Sequence, residues 1–518
     1  MMKRRRENAL LRLQRIRNSR RRIQRRLRDI VWAPQDRPMF KARNIQYEVA
    51  ARGHGLVYGG IGLVHKMVRE IGLAEAIDEN LEVLKLHLPY HESDHVLNIA
   101  YNSIMDGTCL EDIELRRNDE VFLNALGAQR IPDPTTAGDF SRRFHQGHIE
   151  TLMRVINEVR LQVWKKQPAE FFEEAIIEGD GTIAPTTGEC KEGMDISYSG
   201  IWGYHPLVIS LANTQEPLFL VNRSGNRPSH EGAAVRFDQA AELCRRAGFR
   251  KIKMRGDTDF SQARHLDRWD ESGVKFIFGF DAVLPLRRIA ESLPESAWRR
   301  LVRPPKYEVK TELRQQPENV KARIVKEREF KSIHLDSEDL AEIQYTPTGC
   351  KKPYRIVVCR KNLTIERGVK EIVDDIRYFF YITNERDLSE DEVVFEANDR
   401  CNQENLIAQL KNGVRSMKMP VDNLLSNWAY MVMASLAWSL KAWLALLLPA
   451  KGRWQEKHTK EKTTVLRMEF KKFVDVFVRI PVQIIKTGRR IVYRLLAWNP
   501  FQHIFIRAVE VFEHPMRC

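Results

Sequence analysis

Apolar positions change their spacing twice along this chain. Residues 1–30 carry Leu13, Ile16, Ile23, Leu27 and Ile30 at three-, four- and seven-residue steps, which predicts an amphipathic helix. From 56 to 165 the apolar residues keep a helical period. Ser93 reads as an N-cap for a run through Ile99, Ile104 and Met105 that Gly107 ends. Thr108 or Glu111 opens a short helix toward Leu115. The turn Pro132-Asp133-Pro134-Thr135-Thr136 leads into another helix through Phe140 and Phe144. From 171 the pattern shifts to short buried runs. Glu174 to Ile183 reads as a strand with Asp180 between two glycines, and His205 to Asn213 with Leu218 to Asn222 as a hairpin. His230 to Gly248 is an amphipathic helix, Lys251 to Asp257 a strand ending in an acid, Ser261 to Ser272 a helix, and Lys275 to Phe280 a strand. Residues 283–390 are rich in Pro and Lys and include strand-like Tyr354 to Arg360 and Tyr378 to Thr383. Residues 398–411 lack Pro and Gly and read as one helix. A long apolar helix through Trp428, Trp438 and Trp443 follows, expected to pack on the sheet.

The order strand, strand, strand, helix, strand, helix, strand between 171 and 282 resembles a ribonuclease-H-like core, with one acid on its first strand and another ending its fourth. The fold class expected is therefore α/β: a ribonuclease-H-like catalytic core with an inserted, mainly β domain, preceded by an all-helical N-terminal domain. The boundaries read as 1–55 for a basic helix and an irregular linker, 56–165 for the helical domain, 171–282 for the first part of the core, and 283–390 for the insertion. Catalytic and packing helices occupy 391–450, and 451–518 is a basic C-terminal region. A short helix, a Pro turn and a helix carrying Arg142 and Arg143 suit a helix-turn-helix reader as well as an ordinary helical hairpin. His91-Glu92-Ser93-Asp94-His95 matches the H-E-x-x-H zinc pattern, with Glu111 or Glu114 at third-ligand spacing. That pattern needs both histidines on one helix, and Pro89 with the expected cap at Ser93 leaves His91 outside the helix of His95.

Charge sharpens the picture. The net charge is +15 and the pI about 9.4, which favours an anionic partner. Residues 1–30 hold thirteen Lys and Arg against Glu7 and Asp29, and 451–518 hold fifteen against six acids, leaving the middle at −5. The basic N-terminal face fits nucleic acid, an anionic membrane or solvent alike. The C-terminal region sets Lys486, Arg489, Arg490 and Arg494 among apolar residues. The seven cysteines are scattered without a C-x-x-C, so neither a zinc site nor a disulfide framework is expected, in keeping with a reducing cytoplasm. Trp428 to Leu448 is long enough to span a bilayer, but Lys441 lies inside it, and a buried helix is expected instead.

The candidate chemistry rests on acids. Along the 398–411 helix, Arg400, Glu404 and Lys411 fall on one face at 100° per residue. With Asp180 and Asp257 at strand ends, three carboxylates brought together by a mixed sheet and a helix can hold two divalent ions about 4 Å apart. Oxygen ligands select Mg²⁺, with Mn²⁺ as substitute. Glycines beside Asp180 and Asp257 leave room for a phosphate backbone. Strand alternation would put Asp259 on the same face as Asp257, and Glu178 is a further acid beside Asp180.

These residues resemble a DDE transposase of a bacterial insertion sequence, in the subgroup with a β insertion and a Y-x2-R-x3-E-x6-K signature. Ile177-Glu178-Gly179-Asp180-Gly181-Thr182 and Arg255-Gly256-Asp257-Thr258-Asp259-Phe260 match its first two motifs, and Gly203-Tyr204-His205-Pro206-Leu207 is also similar. Arg400, Glu404 and Lys411 match the signature, whereas its Tyr position is Ala397, with Phe395 near. The resemblance covers about residues 55–500. It implies that Asp180, Asp257 and Glu404 are catalytic metal ligands, that Arg400 and Lys411 bind DNA, and that Asp259 and Glu178 are the runner-up acids. It implies double-stranded DNA as partner, element ends and target, with a homodimer on DNA, no membrane, and a cytoplasmic, nucleoid-associated location. Trp298 in the insertion suits a core position or stacking on an unpaired base. Three other readings stay open: a structure-specific nuclease, an inactive transposase-derived DNA-binding protein, and a membrane-associated protein anchored by 428–448.

Overall fold

The computed structural model describes residues 2–28, 46, 53–87, 89–188, 190–304, 323–324, 328, 331–367, 371–487 and 490–512. Ile30 of the expected basic helix, most of the 31–55 linker and Arg489 lie outside the described residues. The chain divides into two compact units. One takes 1–167, 186–194 and 408–518, and the other 168–185 and 195–407.

The first unit is built round the helix Leu424–Leu446, which is largely apolar and buried from Ser426 to Leu446. A helix buried in this way needs partners all round. It finds them in the helices Glu92–Ile104, Gln146–Trp164, Pro134–Arg142 and Gln455–Leu466, so the expectation that it packs on the sheet is corrected. The helices of 56–165 therefore share their core with C-terminal residues and do not form a separate N-terminal domain. The same unit also holds a small sheet in which Gly55–Leu56, Val482–Thr487 and Arg490–Leu495 pair. Length and composition would let Leu424–Leu446 cross a membrane, yet its whole apolar window is inside the unit. Lys441 is accommodated there: its Nζ donates to the Leu466 carbonyl at 2.7 Å and lies 3.8 Å from the Trp438 ring centre. Burial pushes its pKa down to about 7.

The H-E-x-x-H residues are used for packing. His91, not Ser93, caps Glu92–Ile104, which leaves it outside the helix as expected. Glu92 is buried and accepts the Val83 and Leu84 N–H groups. His95 stacks on Phe140 at 4.2 Å, and burial pushes its pKa down to about 4. The N-terminal helix spans Met2–Arg28 with Leu10, Leu11 and Leu13 exposed. Cys109, Cys190, Cys244, Cys350 and Cys359 are free thiols.

The second unit is mixed α/β with one large mixed sheet, consistent with a ribonuclease-H-like fold. Its elements follow the order read from the sequence: β1 (Glu174–Gly181), β2 (Leu207–Leu211), β3 (Glu216–Val221), α1 (Ala233–Ala247), β4 (Lys251–Gly256), α2 (Ala263–Glu271) and β5 (Lys275–Phe280). After α3 (Leu284–Ser292) come β6 (Arg299–Arg300), β7 (Lys331–Tyr345), β8 (Tyr354–Arg367), β9 (Glu371–Thr383), α4 (Glu390–Asn398) and α5 (Cys401–Ala408). The sheet order is β6-β7-β8-β9-β5-β4-β1-β2-β3, with β1, β4 and β5 parallel and the other pairings antiparallel.

Among the described residues of the insertion, β6 to β9 are not a domain apart. β9 pairs with β5, Phe380 opposite Phe280 and Thr383 opposite Ile277, so its strands extend the core sheet. That pairing removes the open edge β5 would otherwise present. α4 covers the added strands, with Val393 and Val394 packed among Ile277, Leu301, Leu340, Val357 and Cys359.

The two faces of the core carry different chemistry. α1 lies on one of them, where Phe237 occupies the space a Cβ at Gly179 would need. By alternation Glu178, Asp180, Ser210, Lys253 and Arg255 belong to the opposite face, the one held against α4 and α5.

Candidate active site

Asp180 is the penultimate residue of β1. Asp257 directly follows β4, and its carboxylate caps a short turn, Thr258–Phe260, by accepting the Asp259 N–H at 3.0 Å. Glu404 is exposed in the first turn of α5. Asp257, Arg400 and Glu404 line one cleft of about 490 Å³ together with Phe280, Tyr378 and Tyr381. Asp180 lies outside that lining but within electrostatic reach of it. Its pKa is pushed up to about 7, first by burial, then by the charge of Asp257, with Glu404 adding to the effect and Arg400 and the Gly181 N–H opposing it. Burial also raises Asp257, with Arg400 opposing and Asp259 adding to the rise. The Arg400 guanidinium is 3.8 Å from the Asp257 carboxylate.

Asp257, Asp281 and Glu404 line the cleft against the guanidinium of Arg400, with Asp180 outside the lining, and the acids offer oxygen donors only. That donor set suits a hard divalent cation, and the raised pKa of Asp180 follows first from its own burial and then from the charge of Asp257. Among the described residues no three Asp, Glu, His or Cys side chains sit close enough to share one ion. The acids are thus electrostatically coupled without meeting at one point.

Two anchors hold α4 and α5 over these strands. Lys253 is buried and ion-paired with Glu396 at 2.8 Å, Glu174 at 3.3 Å and Glu385 at 3.5 Å. Arg255 donates to the Glu396 carbonyl at 2.9 Å and to Glu178 at 2.6 Å. The end of α4 is thereby fixed, and with it the turn that carries Arg400. The second anchor is Gln403, fully buried on α5, whose Nε2 donates to the Val208 carbonyl at 3.1 Å and whose Oε1 accepts the Ser210 hydroxyl.

The geometry separates the runner-up acids from the other three. Glu178 is 1% exposed and committed to Arg255. Asp259 does not share the strand face of Asp257, because β4 stops at Gly256 and the chain turns; Asp259 is exposed in that turn. Two of the glycines beside the acids have a packing reason to be glycine. A Cβ at Gly179 would meet Phe237 at 2.6 Å, and one at Gly256 would meet Phe260 at 2.6 Å.

Residues 398–411 are not one helix. α4 ends at Asn398, Arg400 occupies the turn, α5 runs to Ala408, and Gln409–Gly413 winds as a π turn. The wider winding breaks the 100° register, so Lys411, half-buried in the π turn, does not share a regular helix face with Arg400 and Glu404. Lys411 also belongs to the first unit. Ala397 lines the cleft, whose aromatic surface comes from β5 and β9. Tyr378 and Tyr381 were visible in the sequence as strand residues, but only the β9–β5 pairing brings them to Asp257. Trp298 is half-buried, with the Arg360 guanidinium 4.3 Å from its ring centre.

No curated protein matches the chain. Among solved structures, the chain is similar to the piggyBac transposase seen by cryo-electron microscopy in a synaptic complex with hairpin DNA. The identity is 9%, the match covers 82% of this chain and 86% of that chain, and the TM-score is 0.30. The family model described as "Transposase DDE domain group 1" matches residues 40–516. Since that match takes in nearly the whole sequence, the chain belongs to this family and is a DDE transposase.

Proposed function

We propose that the protein is the transposase of an insertion sequence, of the subgroup with the Y-x2-R-x3-E-x6-K signature, and that it binds the terminal inverted repeats of its element. On this reading it cuts the DNA at the element ends and joins the 3′-hydroxyls to target DNA. The observation that carries the reading is the coupling of three acids from separate parts of the chain. Asp180 on β1, Asp257 after β4 and Glu404 on α5 lie within electrostatic reach, and two of them line one cleft with Arg400.

Asp180, Asp257 and Glu404 are the residues that would hold two Mg²⁺ ions, or Mn²⁺ in their place. When bound, such ions activate a water or 3′-hydroxyl and stabilise the leaving oxygen in an in-line displacement. Arg400, beside Asp257, orients the scissile phosphate by a charge-assisted hydrogen bond. Lys411 is a further residue proposed to bind DNA, and the aromatic residues of β9 border the path of the strand. Pairing of two ends calls for a homodimer on DNA, working in the cytoplasm on the nucleoid.

The test is cleavage and strand transfer on a duplex carrying the element's own end, with Mg²⁺. The expected result is nicking at the end, joining of the 3′-hydroxyl to a second duplex, and loss of both in Asp257→Asn and Glu404→Gln. Full activity in Glu404→Gln would remove that residue from the mechanism. Cutting without joining would make the protein a nuclease, and metal-independent binding without cutting would make it an inactive DNA-binding derivative.

A further inference from the structure

We infer that Gln403 is a positioning residue that sets where Glu404 stands relative to Asp180; the inference rests on the proposed role of those acids. Three observations converge on it. Gln403 is 1% exposed and Ser210, which donates to its Oε1, is also 1% exposed, so the contact is sealed from water. Its Nε2 donates to the Val208 carbonyl at 3.1 Å, so the one amide is held at both ends. The strand register then makes the contact specific: Val208 lies opposite Asp180 and Ser210 opposite Glu178 on the β1–β2 ladder.

A side-chain amide has a donor end and an acceptor end with a fixed plane between them. Bound at both ends to β2, Gln403 fixes the rotation and height of α5. Glu404 is the next residue, about 100° further round the helix. It is therefore turned away from the strand and toward the cleft of Asp257 and Arg400. The helix needs such a tie because it begins just after a turn and runs into a π turn, so neither end has a long regular helix to hold its register. Leu406 and Ile407 bury its apolar side but supply no directional bond.

The experiment compares wild type, Gln403→Leu and Ser210→Ala in the full-length protein. The first variant deletes both bonds at similar volume, and the second deletes one while keeping Gln403. Readouts are DNA affinity, single-turnover cleavage rate at saturating DNA, Mg²⁺ needed for half-maximal rate, and Mn²⁺ affinity by calorimetry without DNA. In Gln403→Leu the cleavage rate should fall on the order of 100-fold, as for a misplacement of about 1 Å. DNA affinity should change less than about twofold, while metal affinity weakens and the Mg²⁺ requirement rises about tenfold, the scale seen for groups that orient metal ligands. Ser210→Ala should show a smaller shift in the same direction. Wild-type cleavage rate and metal affinity in both variants would overturn the inference. If Gln403→Leu does not fold, unchanged behaviour in Ser210→Ala alone would overturn it. A wild-type protein that binds its DNA but does not cut would instead count against the proposed function. The Mn²⁺ titration then still decides whether Gln403 orders the acids: weaker Mn²⁺ binding in the variants supports it and unchanged binding overturns it.

Discussion

In the metal-free protein Asp180 keeps its proton to about pH 7, because it is buried and faces the charge of Asp257. The unfolded chain releases that proton near the ordinary value of 3.8. Between the two values the folded state binds more protons than the unfolded state, so stability falls as pH rises through that window. The contribution is complete below about pH 4 and gone above about pH 7. Calorimetry in chelator should show wild type losing Tm relative to Asp180→Asn between about pH 4 and pH 7. A difference that stays flat would mean that Asp180 ionises like a surface carboxylate. The neighbouring acid behaves differently. Glu178 and Arg255 form a pair with side chains 1% and 3% exposed, and removing one partner leaves the other charged and dry. Glu178→Leu should cost about 3–5 kcal/mol in urea denaturation, and the double replacement Glu178→Leu with Arg255→Met should cost less than the two single changes together. A loss below about 1 kcal/mol would free Glu178 for a place among the catalytic acids.

Elements whose signal is local were legible before any coordinates. β1 to β5 with α1 and α2 appear in the expected order, and β5 has the expected limits, because alternation, helical period and closing glycines such as Gly248 and Gly273 all lie within a few residues of the element they define. What escaped were features set by distant partners. The joining of the insertion to the core sheet depends on Phe380 meeting Phe280, a hundred residues away in sequence. The break at Arg400 depends on Arg255 and Lys253 holding Glu396, although the local composition favours unbroken helix. The site was legible to the same extent. The sequence named Asp180, Asp257 and Glu404 as candidates; the structure brings Asp257 and Glu404 to one cleft and leaves Asp180 outside its lining, while Gln403 and the aromatic side of the cleft needed the fold. The glycine before Asp180 shows how a local reading can mistake the cause. A methyl group at Gly179 would lie 2.6 Å from Cζ of Phe237 and 2.9 Å from Cδ1 of Ile209. Gly179→Ala should therefore destabilise the protein by about 1–3 kcal/mol through overpacking against α1, and Phe237→Leu in the same chain should recover part of it. Equal losses in the single and double variants would put the strain elsewhere.

For the whole molecule, charge and chemistry are divided along the chain. Both strongly basic ends fall in the first unit, whereas Asp180, Asp257 and Glu404 fall in the second. A protein that cuts DNA at a cluster of carboxylates meets a conflict: the acids that suit metal ions also repel phosphates. Carrying the surplus cations in other stretches of the chain than the acids would ease it, since phosphates could be gripped without neutralising the carboxylates. On the proposed function, the N-terminal helix Met2–Arg28, with thirteen Lys and Arg against Glu7, would supply much of that grip. Its removal should act on binding and not on chemistry. In the variant lacking residues 1–28, the plot of log affinity against log salt should become shallower, by about 0.9 for each phosphate that the helix neutralises in the full chain. Cleavage of already bound DNA should proceed at the wild-type rate. Filter-binding titrations from about 50 to 200 mM salt measure the slope directly. An unchanged slope would show that these cations face solvent, and the grip would then have to come from the basic residues of 451–518.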